Sequence, residues 1–414
     1  MGRCLSKPVG AEDTPLWRPT GGSPVARAGM AGHGDPAAYN AAMSRCDVAI
    51  HGAGIVGRTL ALELASHGFD VALLAAAPAA GGPDLRTYAL NAASVALLQR
   101  LRVWPQLRAD AATPVLEMRI HGDAGGAALE FSAWQQHVEQ LAHIVDAAAL
   151  EATLADAVRF APRVHVLDAD ATVDAPLHAW CDGKHSRARE RLGAGFVAHR
   201  YGQTAVAARL VASQPHGGVA RQWFRAPDVL ALLPFDGVAH GHGYGLVWSL
   251  PDERARELLA ADAATFEDAL ANATGGAAGA LTLAAGGARA GWALMLGRAQ
   301  RVAGPGWVLV GDAAHVVHPL AGQGLNLGLG DVACLARVLA QREPWRSPGD
   351  ARVLARYARE RAAPTAEMAF VTDGLLHLFA SDLPGVRELR NRGLSLVDHL
   401  TPLKRWLAAR ALAT

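Results

Sequence analysis

Residues Cys46–Leu74 read CDVAIHGAGIVGRTLALELASHGFDVALL. Val48 to Ile50 form a short buried β run, and Val56, Leu60 and Leu64 are spaced for one helix face. Gly68 is a helix stop, and Val71 to Leu74 is the next apolar strand. The segment is strand, glycine turn, helix, strand, over the length of about thirty residues that a dinucleotide fingerprint requires. Gly52, Gly54 and Gly57 carry the GxGxxG spacing. Gly52 permits the tight turn, Gly54 lets a pyrophosphate approach the backbone, and Gly57 lets the helix pack closely on the strand. The helix N-terminus offers free N–H groups and partial positive charge to phosphates. Taken alone, the same glycines also suit a purely structural turn.

The next stretch, VALLAAAPAAGG (Val71–Gly82), raises a difficulty. Such a fold normally ends its second strand on an acidic residue that holds the adenosine ribose. Here Ala75 and its neighbours are alanines.

The whole chain has 414 residues, 51% hydrophobic and 19% charged, with formal net charge +1. That balance gives no polyanion-binding signature, so nucleic acid is not an expected partner. Cys4, Cys46, Cys181 and Cys334 form no CxxC and no Cys/His pair at zinc spacing, so no metal site is expected. No apolar run reaches the ~18 residues of a membrane span. Residues 1–43 are rich in Pro, Gly and Ala, lack hydrophobic periodicity, and read as a disordered extension. Met43, just before the first strand, is a candidate translation start.

Further along, TPVLEMRIH, FVAHRYGQTAVAARLVA, DVLALLPF and GYGLVWSL read as strands of a mostly antiparallel layer. Ala149–Val158 reads as a helix, as does the stretch from Glu253 through LANA. Trp307–Gln341, WVLVGDAAHVVHPLAGQGLNLGLGDVACLARVLAQ, is strand, glycine-rich loop, then a helix striped by Leu325, Gly328, Val332, Leu335 and Leu339. The tail from Arg352 reads as helical, with a break near Asp382–Pro384.

Two more motifs matter. CDGKHSRAR (Cys181–Arg189) is a polar turn in which Ser186 and Arg189 suit a helix cap. Asp312 ends the strand Val308–Val310, where ligand-facing loops of open α/β sheets lie. A carboxylate there accepts hydrogen bonds from hydroxyls. The glycines that follow let a planar ring lie against backbone N–H groups, at a helix start whose dipole favours negative charge.

Taken in order, these motifs resemble the single-component FAD-dependent aromatic hydroxylases, in particular the ubiquinone-biosynthesis branch of polyprenyl-phenol hydroxylases. The resemblance runs from Cys46 to the C-terminus. VLVGDAAHVVHPLAGQGLNLGLGDVACLA is its most specific part, and RTYALNAASVALLQRLRVWPQL, IVDAAALEATL, DVLALLPF and TDGLLHLF belong to it.

The resemblance implies an α/β fold: a Rossmann-like, glutathione-reductase-type FAD-binding domain with an inserted, mostly antiparallel substrate sheet and C-terminal helices. The expected division is an FAD-binding domain within 44–345 (44–112, 141–200 and 290–345), a substrate domain (113–140 and 201–289) and a helical region (346–414). Gly52, Gly54 and Gly57 would cradle the FAD pyrophosphate. Arg86 would lie near the ribityl–phosphate region, Asp182 near the pyrophosphate, and Asp312 on the ribityl chain. Gly322, Gly324, Leu325 and Asn326 would face the isoalloxazine ring. NAD(P)H is the implied transient electron donor, and no second fingerprint for it is visible.

The implied reaction uses O2 through a flavin C4a-hydroperoxide to hydroxylate the ring of a polyprenylated phenol. No side chain is demanded as acid or base. His318 is a candidate for proton transfer, and His315 is expected to bond the loop backbone. The alternative is a degenerate flavoprotein acting as a non-catalytic component of a ubiquinone-biosynthesis assembly. The expected location is cytoplasmic, peripheral at the inner face of the cytoplasmic membrane. Leu396–Leu412, mixing Leu and Trp406 with Lys404, Arg405 and Arg410, suits either a membrane surface or a packed C-terminal helix.

The chain departs from the family pattern in three places. Ala75 replaces the acidic residue at the end of the second strand. Ala148 stands where a basic or polar residue is common. The stretch RVHVLDADATVDAPLHAWCDG leaves no room for a further hairpin before Asp182, and Cys181 replaces the usual alanine. Asp84, near Arg86, is a candidate to compensate for the missing ribose carboxylate.

Overall fold

The computed structural model describes residues 45–77, 84–122, 128–225, 227–317 and 323–380. The 1–43 extension, Gly322, His318, the break near Asp382–Pro384 and the Leu396–Leu412 segment lie outside the described residues.

The chain begins with β1 (Val48–His51), α1 (Ile55–Ser66), β2 (Val71–Ala75), β3 (Thr87–Leu90), α2 (Ala92–Arg100), β4 (Ala112–Val115), β5 (Glu117–His121) and β6 (Ala128–Ser132). It continues through α3 (Ala133–Gln136), β7 (Ala142–Asp146), α4 (Ala147–Arg159), β8 (Val164–Asp168), β9 (Leu177–Trp180) and α5 (Arg187–Arg191). Then come β10 (Phe196–Ala212), β11 (Val219–Arg225), β12 (Asp228–Pro234), β13 (Gly243–Pro251), α6 (Asp252–Ala260) and α7 (Ala263–Thr274). Last are β14 (Leu281–Leu283), β15 (Arg289–Ala299), β16 (Ala303–Gly304), β17 (Trp307–Leu309), β18 (His315–Val316), α8 (Gln323–Ala340) and α9 (Ala351–Ala380).

The nucleotide side is a six-stranded sheet in the order β16-β17-β9-β1-β2-β8. From β17 to β8 all pairings are parallel. Such sheets need cover on both faces. On one face Val48, Ile50, Val71, Leu73, Leu177 and Val308 join the core formed with α1, α4 and α8. On the other, Ala49, Ala72 and Leu74 pack against Ala171, Val173 and Ala175 of the β8–β9 connection.

That connection explains the absent hairpin. It must cross from one side of β2 to the far side of β1, about 14 Å at three strand spacings. It must also return along the strand length. Extended chain covers about 3.4 Å per residue, so residues 169–176, which open with a turn closed by the Ala171 N–H on the Asp168 carbonyl at 3.0 Å, have little length to spare for the crossing. The hydrogen bond from Cys46 N–H to the Asp174 carbonyl, 3.2 Å, ties this run to the entering chain. The short connection therefore covers the sheet face.

The second sheet has nine strands in the order β18-β15-β10-β13-β12-β11-β5-β6, with β14 on β10. Its pairings are antiparallel except β11–β5, which is parallel. β15, in a stretch grouped with the nucleotide side on sequence, pairs along β10 in this large sheet. One face packs on α6 and α7 through Leu258, Phe266 and Leu270. The stretch from Glu253 is two helices and not one: Ala261 is extended, and the Asp262 carboxylate caps α7 by accepting the Thr265 N–H at 2.8 Å.

Candidate active site

The three fingerprint glycines meet three different demands. Gly52 has φ +109°, and a Cβ there would sit 2.5 Å from the Cys181 carbonyl oxygen. A Cβ on Gly57 would lie 1.9 Å from the Gly52 carbonyl oxygen, so α1 approaches the turn as only glycine permits. Gly54 has nothing within 4 Å of its would-be Cβ, and it opens α1 with no side-chain cap. The first N–H groups of α1 are thus left for an anion.

Gly54, Arg86, Asp182, Asp312, Gly324 and Leu325 all line one cavity of about 600 Å³. The sequence spreads these positions over more than half the chain, and the fold brings them together. At the charged end, Glu151, Lys184, His185 and Tyr88 join them. The opposite wall is carbon: Ala205, Ala207, Ala231, Leu233, Val247 and Trp292 from the large sheet.

Asp312 faces the open cavity while protein surrounds it. Burial raises its pKa, against the pull of His315, Lys184 and Arg86. Burial likewise pushes the Tyr88 phenol up to about 12, so it is a neutral donor at pH 7.

The glycine loop is held from behind. Val56 of α1 fills the space at Gly311 and Gly328, where added Cβ atoms would stand 3.2 Å and 2.9 Å from its methyl groups. Asp331, fully buried on α8, accepts the Gly311 N–H at 2.9 Å and lies 2.6 Å from His315 Nε2. Arg361 of α9 donates to the other Asp331 oxygen at 2.6 Å and to the Leu327 carbonyl at 3.0 Å. One turn earlier, the Tyr357 hydroxyl donates to the Leu309 carbonyl at 3.1 Å. Burial alone would raise the Asp331 pKa, but His315, Arg361 and the Gly311 N–H hold it below the usual value. His315 pairs with the Asp331 carboxylate where a bond to loop backbone was expected.

The turn after Cys181 is tied to the same loop. Gly183 takes φ +79°, and the Ser186 hydroxyl accepts the Arg189 N–H at 3.2 Å. The Arg189 side chain donates to the carbonyls of Lys184 and Ala313, each at 2.9 Å, and its guanidinium stacks 3.5 Å from the Phe196 ring centroid. Arg189 thus bridges the Asp182 turn to the Asp312 loop.

Asn326 needs a correction. Its side chain is buried and points to the start of α2, not to the cavity. Its oxygen accepts the Asn91 N–H at 3.1 Å and the Ser94 hydroxyl at 2.8 Å, and its amide donates to the Ala89 carbonyl at 2.8 Å. Asp84 is also engaged: Arg86 Nη2 reaches its carboxylate at 2.6 Å. It is the partner of Arg86 and not a free ribose acceptor. Near Ala148 a cation arrives from elsewhere, since Arg209 Nη2 lies 3.4 Å from the Asp146 carboxylate.

Asp331, Arg361, Tyr357 and Tyr88 escaped the sequence reading. The available signal was Asp331 itself, a single acid within the apolar stripe of α8, which burial permits only with partners.

The donor set fits FAD: an uncapped helix N-terminus at an open glycine, a carboxylate on the cavity wall, and a carbon-lined chamber beyond it. These features define a flavin-binding α/β protein. The family model described as FAD binding domain matches residues 45–370, and the chain belongs to that family. It is 32% identical to the ubiquinone hydroxylase UbiL of Rhodospirillum rubrum, covering 89% of this chain and 90% of that protein. It is 32% identical to the 3-demethoxyubiquinol 3-hydroxylase of Escherichia coli, covering 88% of this chain and 98% of that protein. The fold is that of the crystal structure of PqsL, a probable FAD-dependent monooxygenase from Pseudomonas aeruginosa, with TM-score 0.69, 20% identity, and coverage of 85% of this chain and 99% of that one. The chain is an FAD-dependent monooxygenase of the hydroxylase type.

Proposed function

We propose that this hydroxylase inserts one oxygen atom into the ring of a polyprenylated phenol in ubiquinone biosynthesis, with NAD(P)H as electron donor. The observation that carries the reading is the single cavity that joins a charged end to a carbon wall. FAD held at the charged end would supply O2 activation: one oxygen atom of O2 would enter the ring and the other would leave as water, with the two electrons coming from NAD(P)H.

The chain's own residues divide the remaining work. The α1 N-terminus at Gly54 takes the pyrophosphate, Asp312 the ribityl hydroxyls, and Gly324 and Leu325 the ring edge. Asp182 flanks the pyrophosphate end. Ala205, Ala207, Ala231, Leu233 and Val247 give the substrate ring a dry surface, which protects the oxygen-transfer step from water. These wall residues hold no proton that titrates, so the sheet orients the phenol without serving as acid or base.

A polyprenyl tail partitions into lipid, so the protein is assigned to the inner face of the cytoplasmic membrane. Among the described residues no helix is long and apolar enough to cross a bilayer. The Leu396–Leu412 segment is the proposed surface contact, and ending the chain at Thr401 should abolish co-sedimentation with anionic vesicles.

The deciding experiment incubates purified, FAD-loaded protein with NADH or NADPH, O2 and a short-chain prenylated phenol. Substrate-stimulated NAD(P)H oxidation with a product heavier by one oxygen is expected. Protein that binds no FAD, or that oxidises NAD(P)H identically with and without the phenol, overturns the reading.

A further inference from the structure

Arg86 is tied down at every polar group but one. Its N–H and Nε donate to Asp84 Oδ1 at 3.0 Å and 2.9 Å. Its Nε and Nη2 donate to Asp84 Oδ2 at 3.1 Å and 2.6 Å. Its carbonyl accepts the Ala147 N–H at 3.2 Å and Arg209 Nη2 at 3.2 Å. Glu151 stands 3.7 Å from Nη2. Among the described residues only Nη1 makes no hydrogen bond, and the side chain lines the cavity.

This arrangement is a bidentate clamp. A guanidinium held through Nε and one terminal nitrogen loses its rotation about the last side-chain bonds, so its remaining edge keeps a fixed direction. The clamp starts only two residues upstream, where the chain enters β3, so it forms locally. It also cancels the cost of placing a cation against a half-buried wall: burial opposes the Asp84 charge, and the Arg86 contacts outweigh it and hold the carboxyl below its usual range.

We propose that Asp84 is a positioning residue that acts through Arg86, fixing the free edge of the guanidinium toward the ribityl–phosphate part of FAD. It rests on the FAD reading given above. Asp84 replaces nothing lost at Ala75. It makes a second cofactor contact rigid in a chain whose ribose contact is missing.

The pair is partly solvent-exposed, 41% for Arg86 and 22% for Asp84. An ion pair of that exposure adds little to stability, so Asp84→Asn should fold and melt as the parent does. The test is a double-mutant cycle read by FAD titration of the apoprotein, with flavin fluorescence as signal. Asp84→Asn and Arg86→Lys are each expected to raise the FAD dissociation constant about tenfold. The double variant should be no weaker than Arg86→Lys alone, because both remove the same fixed edge.

Asp84→Asn with parental affinity overturns the proposal, as does a double variant whose losses add. If Asp84→Asn is unstable, Asp84→Ser in the same cycle gives the same reading. Parental protein that binds no FAD overturns the functional reading itself, an outcome separate from a parent that binds FAD with an indifferent Asp84.

Discussion

The carboxylate of Asp331 lies 2.6 Å from Nε2 of His315, with both residues buried. Through the same carboxylate, α8 holds the Gly311 N–H and α9 delivers Arg361. The loop that carries Asp312 is thus fixed by a charge no solvent reaches. Asp331→Asn keeps the shape and removes the fully buried charge, leaving the partly buried Arg361 without a counter-ion. Breaking such a pair costs about 3–5 kcal/mol. Urea unfolding of the apoprotein should show a loss of that size, and the FAD dissociation constant should rise with it. Parental stability would refute the assignment of Asp331 as the anchor of the loop.

The fingerprint glycines separate folding from binding. Gly57→Ala pushes a methyl to 1.9 Å from the Gly52 carbonyl oxygen, where only backbone can move. A cost of about 3 kcal/mol or more is expected. Gly54→Ala meets nothing within 4 Å in the protein. Its apoprotein should lose at most about 1 kcal/mol, the N-cap difference between glycine and alanine. Its FAD affinity should nevertheless drop, because the methyl occupies the pyrophosphate approach. Thermal melts of both apoproteins, alongside FAD titrations, distinguish the two glycines.

This contrast also marks what the sequence could disclose. Gly52, Gly54 and Gly57 are legible because their demands are local: a turn, an open approach and a helix start within six positions. The α1 stripe and the α8 stripe are legible for the same reason, since helical periodicity is a property of neighbours. Asn326 was misplaced because its position at a helix start points to the cavity, while its partners Ala89, Asn91 and Ser94 lie more than two hundred residues upstream. The Ser186–Arg189 cap is legible in the same local way, but the side-chain contacts of Arg361 and Arg189 are not. Their partners, Asp331 and the Ala313 carbonyl, are set by how helices and loops pack, which no spacing rule records. The two-helix break at Asp262 was legible in principle, since Asp-x-x-Thr is a cap pattern, but the apolar periodicity runs through it.

Ala75 closes β2 and pairs in register with Asp168 of β8. Ala75→Glu restores the acidic residue that Rossmann-like folds place there. One or two charge-assisted hydrogen bonds to the ribose are worth roughly 1.5–3 kcal/mol each. The neighbouring Asp168 carboxylate opposes a second negative charge, so the single variant should gain less than Ala75→Glu combined with Asp168→Asn. Retention of FAD through gel filtration should increase in the order parent, single variant, double variant. Equal retention by all three proteins would show that other contacts already saturate the ribose.

On the face of the six-stranded sheet away from the α1–α8 core, His51 Nε2 lies 3.0 Å from His178 Nδ1, and the His51 ring stacks on Trp180 with centroids 3.7 Å apart. Burial, His178 and Arg191 lower the His51 pKa to about 4. The unfolded chain protonates a histidine near 6.5. Between those values the unfolded state holds a proton that the folded state refuses, so stability rises with pH across the window and falls on acidification. His51→Phe keeps a ring on Trp180 and removes the titration. Urea midpoints of parent and variant should run parallel above pH 6.5. Between pH 6.5 and about 4 the parent should fall faster, the difference being the His51 contribution. Superimposable profiles would mean that His51 protonates in the folded protein as freely as in the unfolded chain, with water reaching the stack.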